Sequence, residues 1–299
     1  MSPDQRPTGP PAMPGGRDPA DMHPPLSADL WRLLGLDIDG TLVQWGGEVS
    51  PSVASAVEKV RMCRNHVILA TGRSIIATMP VAEMLGIRRG WAVCSNGAVT
   101  IRLNPGAVGG YDIVEKVTFN PRAALELIRD ELPEAKYAVE DLGVGYRVSH
   151  EFPNGELAGR QRVVSFDELC STEATRVVIR APGQDATHFD ELVTKIGLNE
   201  VRYAVGYAAW LDLTPPGVSK ASALEALRRQ LGVYPDHTVA VGDGFNDIAM
   251  LEWAGSSTAM GNAPEAVKAV ADAVTGTVEE DGVLAVLEAL IDPERLAVL

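Results

Sequence analysis

The residue pattern with the clearest chemical meaning is a pair of aspartates, Asp37 and Asp39, separated by one residue and followed by Gly40 and Thr41. Gly40 permits a tight turn, so Asp37 is predicted to project from a strand end while Asp39 lies further round the loop. Two carboxylates placed in this way can act as a nucleophile and as a general acid–base. The backbone N–H groups after Asp39 would form a concavity suited to a phosphoryl group. An exposed polar turn is the alternative interpretation.

A second acidic group, Asp243 and Asp247, lies in the segment Gly242-Asp243-Gly244-Phe245-Asn246-Asp247. If the strand before it neighbours the strand that ends at Asp37, three carboxylates converge and repel each other unless a cation or protons neutralise them. Oxygen ligands select a hard cation, and Mg²⁺ also bridges to phosphate. The pattern therefore favours a Mg²⁺ site, with a solvated acidic turn as the alternative.

Lys220 and Thr71 are weaker candidates that gain meaning from their positions. Lys220 is predicted to begin a helix, where the helix dipole disfavours a cation, so an anion is expected nearby. Thr71 follows a strand, and its hydroxyl can donate to a phosphate oxygen or cap the next helix. A solvated lysine and a capping threonine are the alternatives for these two residues.

The elements that would carry these residues alternate between buried strands and helices. Short apolar runs are typical of strands buried on both faces of a parallel sheet, and they occur at Leu33–Leu36, Val67–Ala70, Trp91–Ser95, Thr238–Val241 and Ser257–Met260. Each polar cluster follows a strand or opens a helix, and open parallel sheets bind ligands at the carboxyl ends of their strands. The expected core is an α/β, Rossmann-like, doubly wound parallel sheet built from residues 29–96 and 211–299.

The chain between these two parts has a different texture. Residues 97–210 contain repeated strand-like segments and two predicted helices, Pro121–Glu131 and Ala186–Ile196. Runs of strands with few helices indicate an α+β module with an antiparallel sheet, so residues 97–210 are predicted to form an inserted cap domain. Residues 1–28 are rich in proline and glycine and cannot bury enough surface to offset chain entropy, which predicts a disordered tail.

Composition restricts the class of function. The 299 residues include 26 basic and 40 acidic ones, a formal net charge of −14. A surface this acidic disfavours binding to nucleic acid or to anionic membranes, and no apolar run of 18 residues predicts a transmembrane helix. Cys63, Cys94 and Cys170 are odd in number and widely spaced, which predicts buried thiols in a reducing compartment. With no signal peptide pattern, a cytoplasmic location is expected.

The order of the polar clusters resembles the haloacid dehalogenase superfamily of phosphohydrolases, in its Cof-type branch with a type IIB cap. The resemblance extends from about Leu33 to Leu290 and is most specific in Leu36–Leu42 and Gly242–Met250. Further matches to this branch are Ser95-Asn96-Gly97-Ala98, Gly217-Val218-Ser219-Lys220, Met260-Gly261-Asn262-Ala263-Pro264 and Glu280-Asp281-Gly282-Val283. Members of the branch carry their cap between the second and third motifs, where the α+β module is predicted here.

The resemblance implies a role for each matching residue. Asp37 would be the nucleophile that forms an aspartyl-phosphate, and Asp39 would protonate the leaving alkoxide and then activate water. Asp37, the backbone carbonyl of Asp39, and Asp243 would bind Mg²⁺, with Asp247 supporting the metal and the lysine. Contacts to the phosphate or the substrate are expected from Gly40, Thr71, Asn96, Lys220 and Asn246.

The expected activity is Mg²⁺-dependent hydrolysis of small phosphorylated metabolites, with sugar or polyol phosphates as the expected class. A sugar-phosphate phosphotransferase or phosphomutase is the first alternative. A non-catalytic sugar-phosphate sensor is the second, and the complete set of Asp37, Asp39, Lys220 and Asp243 argues against it. The expected partner is thus a small phosphate ester, and the sequence leaves the oligomeric state open.

Substrate contacts in the cap are harder to predict. Tyr146, Arg147 and Arg180 lie on strand-like segments and could reach a polar substrate. A strand arginine is more commonly a solvated surface residue, which is the alternative for the two arginines.

Overall fold

The structure is a computed structural model, and it describes residues 31–181, 202–205 and 210–296. The predicted tail at residues 1–28 and the predicted helix Ala186–Ile196 lie outside the described residues. Every helix in the described ranges is too short or too polar to cross a lipid bilayer.

In chain order, the described strands are β1 (Leu33–Leu36), β2 (His66–Ala70), β3 (Gly90–Cys94), β4 (Val99–Leu103), β5 (Tyr111–Lys116), β6 (Lys136–Asp141), β7 (Gly145–Val148), β8 (Arg160–Val163), β9 (Val177–Arg180), β10 (Arg202–Val205), β11 (Trp210–Thr214), β12 (Thr238–Gly242), β13 (Ser256–Ala259) and β14 (Ala273–Val274). The described helices are α1 (Pro51–Met62), α2 (Ile75–Met84), α3 (Arg122–Glu131), α4 (Phe166–Cys170), α5 (Lys220–Leu231), α6 (Ile248–Trp253), α7 (Glu265–Lys268), α8 (Leu284–Ala289) and α9 (Pro293–Leu296).

The first sheet has the strand order β14-β13-β12-β1-β2-β3-β4-β5 among the residues described. Its strands from β14 to β3 run parallel, and β4 and β5 continue the sheet in antiparallel fashion at one edge. The apolar runs predicted as doubly buried strands explain this arrangement, since all four residues of β1 are buried. The predicted α/β, Rossmann-like core is confirmed.

Helices cover both faces of the first sheet. Leu34 and Leu36 of β1 belong to one core cluster with Val57 of α1, whereas Leu33 belongs to a second cluster with Leu224 of α5. Successive side chains of a strand point to opposite faces, so the leucines of β1 need apolar partners on both sides of the sheet. This is the doubly wound packing that the sequence predicts.

The second sheet has the order β10-β11-β9-β6-β7-β8 in the described part of the chain. Neighbouring strands are antiparallel except for the parallel pair β7 and β8. Helices α3 and α4 pack against it through Leu125, Ile128 and Leu169. The sheet forms most of the α+β module expected between residues 97 and 210.

The limits of that module differ from the predicted ones. Strands β4 and β5 lie beyond residue 97 but pair with β3 in the first sheet, because β3, β4 and β5 form an antiparallel meander. At the other end, β11 extends past residue 210 and pairs with β9 in the second sheet. We therefore propose that the inserted module begins after Lys116 and ends after Thr214.

Candidate active site

Two buried carboxylates meet because the strands that precede them are neighbours. Strands β1 and β12 pair in parallel, so Asp37 and Asp243 leave the sheet at the same edge. Asp247 follows in the turn after Asp243, and one carboxylate oxygen from each of these three residues lies within 4.8 Å of the others. All three side chains are buried. We call Asp37, Asp243, Asp247 and the lysine that joins them the acidic cluster.

Lys220 is the lysine of the acidic cluster. Its ammonium group donates to Oδ1 of Asp37 and to Oδ1 of Asp247, both at 2.6 Å, and its side chain is fully buried. Ser219 caps α5 through a reciprocal hydrogen bond with Ser222, and this cap fixes Lys220 at the first position of the helix. The predicted anion near this helix start is therefore a pair of carboxylates of the protein itself.

Asp247 contacts both Lys220 and the turn that carries Asp243. Its Oδ2 accepts hydrogen bonds from the backbone N–H of Asp243 at 3.0 Å and of Gly244 at 2.9 Å. One carboxylate thus fixes both the lysine and the turn that carries Asp243. The resemblance implied that Asp247 supports the metal and the lysine, and the contact with the lysine is present.

The electrostatics of the acidic cluster are unbalanced. Burial raises the pKa of Asp37 well above its ordinary value, and Asp247 raises it further against the effect of Lys220. Burial and the charge of Asp247 also raise the pKa of Asp243 to about 7. For Lys220, burial acts to lower the pKa, but Asp247 and Asp37 outweigh burial and raise it. Three carboxylates against one ammonium group leave an excess of negative charge that suits a hard divalent cation.

Asn262 fixes the acidic cluster from the neighbouring loop. Its amide nitrogen donates to Oδ2 of Asp243 at 3.0 Å and to the carbonyl of Gly40 at 2.9 Å, while its Oδ1 accepts from the N–H of Val278 at 2.8 Å. Gly40 has a φ of 72°, and a Cβ there would collide with the carboxylate of Asp243. Asn262 belongs to a motif that resembles the family, but the sequence predicts no role for it because Gly40 is 222 residues away along the chain.

Asp39 lies apart from the acidic cluster and is paired with a cation. Its carboxylate accepts two hydrogen bonds from Arg73, from Nε at 2.8 Å and from Nη2 at 2.5 Å. The Asp39 side chain is 58% exposed, so it faces the open side of the site. Arg73 belongs to the polar cluster Thr71-Gly72-Arg73 at a predicted strand end, but the sequence indicates no role for it because its partner Asp39 is 34 residues away.

Thr71, Asn96 and Asn246 form one rim of the site. Thr71 is fully buried, and its hydroxyl accepts from the N–H of Arg73 at 3.1 Å, so the hydroxyl caps the turn after β2. Asn246 donates from its amide to Oδ1 of Asn96 at 2.9 Å. The N–H of Asn96 donates to the carbonyl of Thr71 at 3.0 Å. The candidates for phosphate or substrate contact therefore lie side by side.

The turn that carries Asn96 is held from the second sheet. Ser95 and Asn96 have left-handed φ values of 50° and 54°, which non-glycine residues adopt only where the surroundings support them. Glu140 of β6 accepts hydrogen bonds from the hydroxyl of Ser95 at 2.7 Å and from that of Thr175 at 2.9 Å. The buried carboxylate of Glu140 thus joins the second sheet to the rim of the site.

A cavity of about 810 Å³ lies over the site, and both sheets contribute to its wall. Of the cap residues singled out from sequence, Tyr146 lines the cavity. Arg147 and Arg180 are not among its lining residues. Arg147 is buried, and Arg180 pairs at 2.8 Å with Glu156, which does line the cavity. Arg176 and Asp212 line the cavity as well. The sequence does not predict that these two residues lie in the site, because they are 36 residues apart and meet only in the folded protein.

Comparisons with known proteins indicate the family of the chain. The family model of the haloacid dehalogenase-like hydrolases matches residues 34–287. The chain is 28% identical to the phosphatase YwpJ of Bacillus subtilis over 297 residues, which covers 87% of this chain and 100% of that protein. It is also 28% identical to the pyridoxal phosphate phosphatase YbhA of Escherichia coli, over 84% of this chain and 96% of the relative.

Solved structures show the same fold. A haloacid dehalogenase-like hydrolase from B. subtilis superposes with a TM-score of 0.73 and 25% sequence identity, covering 86% of this chain and 99% of that one. The family match extends over most of the chain and includes all residues of the acidic cluster. The chain belongs to the haloacid dehalogenase-like hydrolases.

Proposed function

We propose that this enzyme is a Mg²⁺-dependent phosphatase that hydrolyses small phosphate monoesters, with sugar or polyol phosphates as its substrates. The observation that carries the proposal is the acidic cluster. In it, three carboxylates lie beside one ammonium group that pairs with Asp37 and Asp247, and Asp37 and Asp243 line a cavity of small-molecule size. The phosphatase names of the relatives YwpJ and YbhA support the same reaction class.

Asp37, Asp243 and the backbone carbonyl of Asp39 would hold the metal ion, with Asp247 as the supporting carboxylate. The raised pKa values of Asp37 and Asp243 fit this assignment, because a bound cation offsets both the burial and the carboxylate repulsion that raise them. When bound, Mg²⁺ supplies positive charge that offsets the repulsion between a carboxylate and a phosphate dianion.

Asp37 is the proposed nucleophile. Its Oδ1 accepts from Lys220, so that oxygen is fixed and the carboxylate is oriented toward the cavity it lines. The carboxylate attacks phosphorus, an aspartyl-phosphate bond forms, and the bond from phosphorus to the leaving oxygen breaks. Lys220, Thr71 and Asn246 would contact the phosphoryl oxygens, whose charge spreads in the transition state. The backbone N–H of Gly40, an expected contact from the sequence, instead donates to the carbonyl of Val43 at 3.2 Å.

Asp39 is the proposed general acid–base. In the first step it gives a proton to the leaving alkoxide, which departs as an alcohol. In the second step it takes a proton from the water that attacks the aspartyl-phosphate, and inorganic phosphate and the free Asp37 carboxylate result. Because Arg73 holds Asp39 by two hydrogen bonds, we propose that Arg73 orients Asp39 at the cavity.

The experiment that tests this function is a phosphate-release screen over a panel of phosphorylated metabolites. Activity with Mg²⁺, its loss in EDTA, and its loss in Asp37→Asn support the proposal. Transfer of phosphate to an added sugar instead of water would support a phosphotransferase. Binding of the esters without any turnover would leave only the sensor.

The role of Asp39 has its own test. Asp39→Ala is expected to slow hydrolysis of alkyl phosphates at least about tenfold more than hydrolysis of p-nitrophenyl phosphate, whose leaving group needs no proton. The measurement is kcat for both esters in the wild type and the variant. Equal losses for the two esters would argue against acid catalysis by Asp39.

A further inference from the structure

Three side chains of the second sheet, Tyr146, Arg176 and Asp212, line the same cavity as Asp37. We propose that they form the subsite for the leaving group of the substrate, and that this subsite selects an uncharged organic group that carries hydroxyls. The inference deepens the proposed phosphatase function and rests on it. We call these three residues the cap cluster.

The cap cluster is rigid before any ligand arrives. Arg176 donates from Nε to Oδ1 of Asp212 at 2.9 Å, its Nη2 lies 2.7 Å from the same oxygen, and its Nη1 donates to the Tyr146 hydroxyl at 3.0 Å. Trp210 also donates to Oδ1 of Asp212, at 3.3 Å. The side chains of Arg176 and Asp212 are only 9% and 14% exposed. A subsite with its polar atoms already fixed loses little entropy on binding.

The charge of the cap cluster is balanced internally. Burial acts to lower the pKa of Arg176, but Asp212, Tyr146 and Glu140 outweigh burial and raise it, so the guanidinium stays cationic. Asp212 supplies the compensating charge at hydrogen-bond distance. A balanced ion pair offers a ligand both donors and an acceptor without a net charge.

A hydroxyl group matches this pair. The donors that Arg176 and Trp210 direct at Asp212 all go to its Oδ1. Among the contacts of the described residues, Oδ2 therefore remains to accept from a ligand hydroxyl. The same hydroxyl oxygen can accept from the guanidinium or from Tyr146, because a hydroxyl is both donor and acceptor. A ligand without hydroxyls would cover Oδ2 of Asp212 without giving it a donor, which is costly.

The rest of the cavity disfavours a second anionic group on the substrate. The other arginine on the wall, Arg73, is already paired with Asp39. Asp37 and Asp243 add negative charge to the same wall. In the described lining, a carboxylate or second phosphate on the leaving group would therefore meet no uncompensated cation and would be repelled.

One further wall is apolar and is formed by helix α2. Ile76, Ala77, Pro80, Val81 and Met84 all line the cavity. A wall of this kind packs against the C–H face of a ring, while the cap cluster meets the hydroxyls at its edge. The two walls together suit a sugar-like group better than a short acid or an amine.

A substrate panel with four probes tests this inference: a hexose 6-phosphate, 2-phosphoglycolate, phosphoethanolamine and p-nitrophenyl phosphate, each with Mg²⁺. We expect kcat/KM for the hexose phosphate to exceed that for the anionic and cationic esters at least about tenfold. A preference for either charged ester would overturn the inference while the phosphatase function stands. Failure to hydrolyse any of the four would instead overturn the proposed function.

Variants locate the preference at the cap cluster. Tyr146→Phe removes one hydroxyl, and we expect the ratio of kcat/KM for the hexose phosphate to that for p-nitrophenyl phosphate to fall about tenfold. Tyr137→Phe is the matched control, since Tyr137 is a buried tyrosine of the same sheet whose hydroxyl donates to the carbonyl of Leu132 at 3.1 Å. A ratio that is unchanged in Tyr146→Phe, or equally reduced in Tyr137→Phe, contradicts the inference.

Asp212→Asn reverses the charge balance. It leaves Arg176 as an uncompensated cation, so the ratio of kcat/KM for 2-phosphoglycolate to that for the hexose phosphate is expected to rise at least about tenfold. If this variant does not fold, Tyr146→Phe still decides the question. A folded Asp212→Asn with the wild-type ratio would show that the cap cluster does not select by charge.

Discussion

The two buried polar clusters that face the cavity differ in charge balance. In the acidic cluster, three carboxylates lie beside the ammonium group of Lys220, which pairs with Asp37 and Asp247. In the cap cluster, one guanidinium is matched by one carboxylate. A buried cluster with excess negative charge needs a cation, whereas a cluster with equal charges does not. The acidic cluster is therefore suited to a metal ion and a phosphate, and the cap cluster to a neutral group.

The largest effect is expected where the acidic cluster supplies the nucleophile. Asp37→Asn keeps the size of the side chain but removes the attacking carboxylate, so kcat for phosphate release should fall at least about 10³-fold. Asp112→Asn, at an exposed ion pair with Arg102, is the control and should keep full activity. Substantial residual turnover in Asp37→Asn would remove Asp37 from the reaction.

Lys220→Met tests the claim that the acidic cluster depends on its one cation. Without metal, the variant leaves buried carboxylates with no counter-charge, and the free energy of unfolding should fall by about 3–5 kcal/mol. Urea unfolding in EDTA measures this loss, and Mg²⁺ should restore part of it. Lys268→Met, at a surface pair with Glu265, should change stability by less than about 1 kcal/mol. Equal losses of unfolding free energy in the two variants would mean that the charge of Lys220 does not stabilise the acidic cluster.

Asn262→Ala tests whether the acidic cluster needs outside support. The variant removes the donor shared by Asp243 and the Gly40 carbonyl, and the affinity for Mg²⁺ should fall about 10- to 100-fold. Calorimetric titration gives the affinity directly. Asn104→Ala, which removes an amide from Asp112 at the surface, serves as the control. An unchanged affinity in Asn262→Ala would place the metal elsewhere.

The smallest effect concerns pH. The pKa of Asp243 is raised to about 7 in the metal-free protein, so below pH 7 a cation must displace a proton from this carboxyl. The apparent dissociation constant for Mg²⁺ should therefore rise as the pH falls through 7, by about tenfold per pH unit for each carboxyl that must lose a proton. Titrations from pH 5.5 to 8.5 in two buffers of different ionisation enthalpy measure both the affinity and the released proton. A constant affinity across pH 7 would contradict the raised pKa.

The parts of the fold that the sequence predicts are those buried on both faces. β1 has the predicted bounds, Leu33–Leu36, because four consecutive apolar residues have no other good environment. β8 escaped prediction, since three of its residues in Arg160–Val163 are polar and most are exposed. β5 is likewise a largely exposed edge strand of the first sheet, so its membership in that sheet depends on pairing rather than on burial.

The candidate site divides in the same way. Asp37 and Asp243 were found because each follows a buried strand, and parallel neighbours bring such ends together. Arg176 and Asp212 lie 36 residues apart on a sheet whose strand order the sequence does not state. The pairing of Asp39 with Arg73 is also a tertiary contact. The residues of the first sheet were therefore predictable, whereas those that would recognise the organic group were not.

The hydrogen bond between Ser95 and Glu140 has a mechanical consequence. Ser95 and Asn96 have φ values of 50° and 54°, which cost free energy for residues other than glycine, whereas Gly97 adopts its φ of 101° freely. Glu140, on the second sheet, holds this turn by accepting a hydrogen bond from Ser95. If the two sheets move apart, the hydrogen bond from Ser95 to Glu140 breaks and the turn that carries Asn96 is no longer held. We therefore expect release of the product to accompany separation of the two sheets.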